Sequence, residues 1–266
     1  MSGSRGRDMV VAAYEDGEKL QTRIDIYEYQ RPRVDFHAFA LDHLDLRGGD
    51  RVLDVGCGTA VALRRLIGRG TALTLVGIDR SPGMVSESRA RDADGRVHWL
   101  VGDVGALPTP DDAHDVVLAM HMLYHASDLG TAVGELRRVL RPRGTLLVTT
   151  LGPRHMAELH DVAAEVLAGT RLERPSARFG VDDAASILDR HFASVELDRL
   201  RGELVLDTSG PLVRYLDSAR DLFEPGLPAG TAWAGVLDQV ERRLGEAIAS
   251  AGRFTVTTDS AVFVCR

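Results

Sequence analysis

The run from Val52 through Leu53, Asp54, Val55, Gly56, Cys57, Gly58 and Thr59 to Ala60 constrains this chain more than any other stretch. An apolar strand ends on Asp54, breaks into a turn carrying Gly56 and Gly58, and passes into a helical pattern from Val61 to Arg69. Glycine at such a bend lets backbone approach a ligand closely and adopt dihedrals that other residues avoid, so the outline is that of a nucleotide pocket. Spacing then narrows the nucleotide. A dinucleotide fingerprint needs a third glycine at position 61, where this chain has Val61, and no phosphate-gripping lysine follows. A second apolar strand, 73 to 79, ends on Asp79, where a carboxylate accepts hydrogen bonds from a ribose diol and repels a 2′-phosphate.

Strand and helix signals alternate beyond this unit. Strands are predicted at 51–56, 73–78, 96–101, 115–120 and 145–151, with helices at 60–69, 82–92 and 128–140 between them and a turn at 141–144. This alternation is the signature of a parallel sheet covered on both faces. Residues 8–46 read as two or three helices interrupted by Pro32. Past 151 the pattern loosens into mostly helical segments at 152–180, 182–191 and 209–252, with strands expected at 193–206 and 254–264.

Five segments in fixed order carry a family resemblance: 52–60, VGIDRSPGM at 76–84, VGDVGALP at 101–108, DVVLAMHMLYHASD at 115–128 and ELRRVLRPRGTLLVTT at 135–150. Together they resemble the class I S-adenosylmethionine-dependent methyltransferases of the small-molecule type, over roughly residues 50–151. One departure is Ala60, where the family usually has glycine; the small side chain is expected to leave the pocket intact. The resemblance implies an α/β, Rossmann-like fold: a mainly parallel seven-stranded sheet with helices on both faces, its last two strands antiparallel. It also implies one domain over 1–266, with a helical cap at 8–46, a cofactor-binding core at 50–151, and lid or acceptor-site insertions at 152–180 and 209–252 above the carboxyl ends of the strands.

The implied cofactor is S-adenosyl-L-methionine, with S-adenosyl-L-homocysteine as product. Asp54 is then expected near the methionine ammonium, Gly56 and Gly58 supply the tight backbone, and Asp79 holds the ribose. Arg80 and Met84 are placed against the adenosine, Asp103 at the adenine amino group with Val104 as a backbone contact, and Met120 and His125 along the cofactor. Tyr14 and Arg23 are expected to cap the methionine end. Bland alternatives stand beside these: Asp103 as a helix cap, Met84 as core, and Arg80, Tyr14 and Arg23 as ordinary surface.

For the chemistry, Tyr124 and His125 lie at the position close to the departing methyl in this family, and His125 is the candidate general base, since imidazole titrates near neutrality. A packed or capping histidine is the equal alternative. Tyr27, Glu28 and Tyr29 could line the acceptor cavity or form an amphipathic stripe with one charged face. His121 and His125 are four apart, but the residues between them are Met122, Leu123 and Tyr124, without the acid that accompanies zinc-binding pairs, so no metal is expected.

Composition bounds the rest. With 266 residues and 44% apolar content the chain can bury a full core. A net charge of -7 disfavours nucleic acid as the substrate and favours a small acceptor. Two cysteines, Cys57 and Cys265, make no disulfide framework, and neither a leader peptide nor a membrane span is evident, which sets the expectation of a cytoplasmic monomer or homodimer that does not engage membranes. Lys19 is the only lysine among the basic residues, a GC-rich coding bias that points weakly to bacterial specialised metabolism. Two rival readings use the same scaffold: an enzyme such as a cyclase that uses the cofactor without methylating, or a non-catalytic nucleotide sensor.

Overall fold

The computed structural model describes residues 17–70, 72–172 and 174–266. Its elements run α1 (Gly17–Asp25), a 3-10 turn (Ile26–Tyr29), β1 (Gln30–Arg31), α2 (Phe36–Leu41), β2 (Arg51–Val55), α3 (Val61–Gly68), β3 (Thr74–Asp79), α4 (Pro82–Arg91), β4 (Val97–Val101) and β5 (His114–Met120). They continue through a 3-10 turn (Leu123–His125), α5 (Leu129–Val139), β6 (Leu140–Leu151), α6 (Ala157–Val166), α7 (Val181–Leu188), β7 (Val195–Leu206), α8 (Gly210–Ser218), α9 (Arg220–Phe223), α10 (Trp233–Ala251) and β8 (Phe254–Cys265). Two compact units result. A core unit comprises Asp35–Gly152, Arg178–Arg199 and Ser260–Arg266; a helical unit comprises the described residues up to Val34, Pro153–Ala177 and Leu200–Asp259.

In the core unit, β2 to β6 are mutually parallel and β8 runs antiparallel to β6. Strands buried on both faces must be apolar throughout, and Val52, Leu53 and Val55 of β2 are at most 1% exposed. Neighbouring side chains point to opposite faces, so Leu53 and Val55 join a cluster with Leu136, Phe179 and Phe263, whereas Val52 joins Leu63, Leu66, Leu118 and Val262. The helices are started by local chemistry. Asp128 caps α5 by accepting from the Thr131 N–H at 2.6 Å, and Ser81 caps α4 by accepting from the Met84 N–H at 3.2 Å, with Pro82 in the first turn, where its missing donor costs nothing.

The strand order is β1-β7-β8-β6-β5-β2-β3-β4. The chain therefore builds outward from β2 to β4, then crosses back to lay β5 on the other side of β2. A crevice opens at such a switch point, outside the carboxyl ends of the two strands, and ligands of open α/β sheets bind there.

Two details differ from the sequence expectation. Among the described residues the sheet has eight strands rather than seven: Gln30 and Arg31 form the added strand, paired with Leu204 and Glu203 of β7. And the turn expected at 141–144 lies inside β6, because Leu140 already pairs with His114 before Thr145 pairs with Val116. The intervening residues bulge, with Arg143 at φ 66°.

The helical unit packs its own core. On α10, Trp233, Val236, Val240 and Leu244 recur at helical spacing and are buried with Leu159 of α6, Leu212 and Leu216 of α8 and Ile26. Gly252 ends α10 in the left-handed conformation, φ 77°. The segments expected as cap and lid, where described, fall largely in this unit. Among the described residues no helix is long and apolar enough to cross a membrane.

Candidate functional site at the switch point

The bend after β2 is tied down from below. Gly56 and Cys57 both donate backbone N–H to the Ile78 carbonyl, at 2.8 and 3.0 Å, and the Ser88 hydroxyl donates to the Gly58 carbonyl at 2.8 Å. Gly56 has φ 68°, and a Cβ there would lie 2.8 Å from the Met122 Cβ, across the crevice between β2 and β5. Glycine is thus required at position 56 by dihedral and by space. Gly58 and Ala60 are also left-handed, at φ 51° and 57°.

Asp79, at the end of β3, uses both carboxylate oxygens: Oδ2 accepts from the Gly58 N–H and Oδ1 from the Ser81 N–H, each at 2.8 Å. These bonds clamp the glycine bend to the start of α4. Asp54 is 2% exposed, and burial, followed by the charge of Asp79, pushes its carboxyl up to about 8. Burial likewise raises Asp79, opposed by the N–H donors of Ser81 and Gly58 and by Arg80. A buried acid whose ionisation is opposed by a half-buried one beside it makes a nook that favours a cation and disfavours phosphates.

Next along the sheet, Asp103 holds its own turn: Oδ1 accepts from the Gly105 N–H at 2.8 Å, and Oδ2 is 3.8 Å from Arg80. Val104 is buried in the core, and Met84 is 1% exposed behind its cap. Met120 ends β5, half-buried against the second cluster. His121 is left-handed at φ 51°, its N–H shared between the Thr149 carbonyl and hydroxyl at 3.1 and 3.0 Å, and its ring lies 5.0 Å from Phe36. His125 ends the following 3-10 turn, its ring edge-on to buried Tyr124 at 4.5 Å. The two histidines do not share a helix face, and among the described residues no three His, Cys, Asp or Glu side chains gather to hold a metal. A cavity of about 300 Å³, lined by Leu123, Tyr124, Ser127, Asp128 and Arg178 among others, opens beside this turn.

The core unit thus carries Asp54, Gly56, Gly58, Asp79, Arg80, Met84, Asp103, Val104, Met120, Tyr124 and His125 around the ends of β2 to β5. Half-buried Arg23 and Tyr27 and exposed Glu28 belong to the helical unit, and Tyr14 lies outside the described residues. Sequence reasoning passed over Ser81 and Ser88, although the Ser-Pro pair after Asp79 is a recognisable helix start. It also passed over Met122 and Thr149, which no local signal marks.

Residues 53–148 match the family described as a methyltransferase domain. That span holds the motifs that resemble the class I S-adenosylmethionine-dependent methyltransferases. The chain is 38% identical over 118 residues to a malonyl-[acyl-carrier protein] O-methyltransferase of Serratia marcescens, covering 44% of this chain and 45% of that protein. To the enzyme of the same name from Halorhodospira halophila it is 33% identical over 198 residues, covering 72% of this chain and 65% of that protein. The chain therefore spans less than two thirds of either relative. Among solved structures, the YcgJ protein of Bacillus subtilis shares the fold at TM-score 0.58 and 19% identity, over 86% of this chain and 96% of that one. Ala60, where the resemblance led to an expectation of glycine, stands in the left-handed region at φ 57°, a conformation glycine adopts without the steric cost that alanine bears.

Proposed function

We propose that this chain transfers the methyl group of S-adenosylmethionine to an oxygen, nitrogen or carbon of a small-molecule acceptor by in-line displacement. The observation that carries the reading is the buried Asp54 carboxyl beside the Asp79 clamp on Gly58 and Ser81. Such a site accommodates a cationic nucleoside and repels a pyrophosphate. Bound there, the cofactor supplies a methyl already activated on a sulfonium.

The protein's share is positioning, which contributes on the order of 7–11 kcal/mol when reactants are well aligned. Asp54 would hold the methionine ammonium, whose charge favours the ionised carboxylate. Asp79 would take the ribose hydroxyls, with Gly56 and Gly58 admitting the tail. Asp103, Val104, Arg80 and Met84 would flank the adenosine, and Met120 would line it. Tyr124 and His125 would face the acceptor, His125 removing a proton where the acceptor atom needs one. Tyr14 and Arg23 would cap the methionine end, while Tyr27 and Glu28 would contact the acceptor. The segments 152–180 and 209–252 would act as lid. The setting inferred is cytoplasmic, with no nucleic-acid or membrane partner, as a monomer or homodimer, within bacterial specialised metabolism. The relatives' named acceptor, malonyl-acyl carrier protein, is the first to assay.

Calorimetry tests the reading: S-adenosylmethionine and S-adenosylhomocysteine should bind and NAD should not. Asp79→Ala should weaken S-adenosylmethionine about 10- to 150-fold, the worth of one hydrogen bond to a charged group. Binding of NAD in place of S-adenosylmethionine would overturn the assignment, and unchanged affinity in Asp79→Ala would remove Asp79 from the site.

A further inference from the structure

Within the core unit, the turn that carries Asp103 and Val104 stands on two legs. Its incoming leg is tied to the neighbouring strand, where the Gly102 N–H donates to the Asp79 carbonyl at 3.0 Å. The turn then closes on itself: the Ala106 N–H donates to the Asp103 carbonyl at 3.0 Å and the Gly105 N–H to Asp103 Oδ1 at 2.8 Å. Its outgoing leg returns against the first, since a Cβ at Gly102 would lie 2.8 Å from the Pro108 ring. The Asp103 carboxylate is therefore placed only as firmly as that second leg is held.

Glu135 and Arg138, three apart on one face of α5, hold it. Glu135 Oε2 accepts from the Leu107 N–H at 2.7 Å. Arg138 Nε and Nη2 donate to the two oxygens of Glu135, each at 2.7 Å. Nη2 also donates to the Leu107 carbonyl at 3.0 Å, and Nη1 donates to the Thr109 carbonyl at 2.9 Å and to Asp111 Oδ1 at 2.8 Å. A guanidinium has five N–H donors in a rigid fork, and all are engaged here. The Arg138 guanidinium, and after it the Leu107 N–H, hold the Glu135 carboxyl below its ordinary range against the opposing effect of burial. The pair is thus ionised near neutrality. A single ion pair this near the surface contributes little to stability. Bonds that converge on both sides of one peptide leg fix where that backbone lies.

We infer that Arg138, acting with Glu135, is a positioning residue for cofactor recognition: its fork holds the 103–107 turn so that Asp103 accepts from the adenine amino group. The protein's preference for adenine over a purine lacking that group is accordingly set from α5. The inference rests on the proposed cofactor site, and in particular on Asp103 meeting the adenine.

Calorimetry with S-adenosylhomocysteine and with its analogue carrying hydrogen in place of the adenine 6-amino group tests this. Wild-type protein should favour S-adenosylhomocysteine about tenfold or more, the worth of a hydrogen bond to a charged group. Arg138→Met should bring that ratio within about threefold by weakening S-adenosylhomocysteine and leaving the analogue nearly unchanged. In an Asp103→Ala background, adding Arg138→Met should alter the ratio no further, because the two residues act as one. A ratio in Arg138→Met equal to that of wild type, or equal weakening of both ligands, overturns the inference. Circular dichroism shows whether each variant is folded. Should Arg138→Met not fold, Glu135→Gln, which keeps one accepting oxygen, should lower the ratio about threefold, and an unchanged ratio there overturns the inference equally. Wild-type protein that binds both ligands alike removes Asp103 from the adenine and the inference with it, whereas wild-type protein that binds neither overturns the cofactor reading beneath both.

Discussion

Asp54 joins stability to binding through a single proton. Its folded-state value of about 8 stands well above the 3.8 expected of the unfolded chain, so the neutral acid is the form the fold favours. The stability it contributes is complete below about pH 4 and is lost as pH rises through about 8. The carboxylates held low, Asp92, Asp115 and Glu135 among them, act in the opposite sense, losing stability as pH falls. Comparison of wild type with Asp54→Asn isolates the first effect: the ligand-free variant should melt higher than wild type at pH 8–9 and equally near pH 4, while losing cofactor affinity. A melting difference independent of pH would show that Asp54 is not titrating in this range. Ala60 belongs to the same scale. A left-handed alanine costs about 1–2 kcal/mol, and glycine's extra chain entropy offsets about 0.5–1 of that, so Ala60→Gly should raise stability by up to about 1.5 kcal/mol, read from the urea midpoint. The sequence marked Asp54, Asp79 and the two glycines because their roles follow from neighbours within a few positions. It could not give Arg138 its role, since the carbonyls that its guanidinium meets lie 29 and 31 positions away.

Among elements, the strand-turn-helix units were legible because each carries its own start and stop chemistry: Ser81 before α4, Asp128 before α5, Gly252 after α10. β1 was not, since two residues have no period to read and their pairing with β7 is wholly long-range. The start of β6 was misplaced for a related reason: Arg-Pro-Arg-Gly is turn chemistry, and the structure uses it as a bulge within a strand that has already begun. The pairing of β3 with β4 shows how an element depends on one small residue. Gly77 lies opposite Trp99, whose indole N–H donates to Asp92 at 3.1 Å, and a Cβ at Gly77 would sit 2.7 Å from the indole ring. The ring is anchored and cannot yield cheaply. Gly77→Ala should therefore cost about 1–3 kcal/mol in denaturant melts, with near-ultraviolet circular dichroism reporting a displaced tryptophan.

At the scale of the molecule, the helical unit is assembled from three separate stretches of chain, so its existence depends on contacts that no window of sequence contains. The core unit also draws on three stretches, but its five parallel strands and the bends after them all lie within 51–151, where the motifs are. This division gives the cofactor reading a spatial test that needs no acceptor. A ligand present at 100 times its dissociation constant stabilises the state that binds it by about 2.7 kcal/mol, or several degrees in melting temperature for a chain of this size. If the switch-point crevice is the site, hydrogen exchange with saturating S-adenosylhomocysteine should slow at the amides the ligand closes over or whose loops it pins: Gly56 to Ala60, Asp79 to Met84, Gly102 to Gly105 and His121 to His125. The amides of β8 between Ser260 and Cys265, already paired with β6, should change least. Slowing spread evenly over the chain would indicate general stabilisation without a located ligand, and slowing absent from Gly56 to Ala60 would move the cofactor away from the bend that all the assigned roles share.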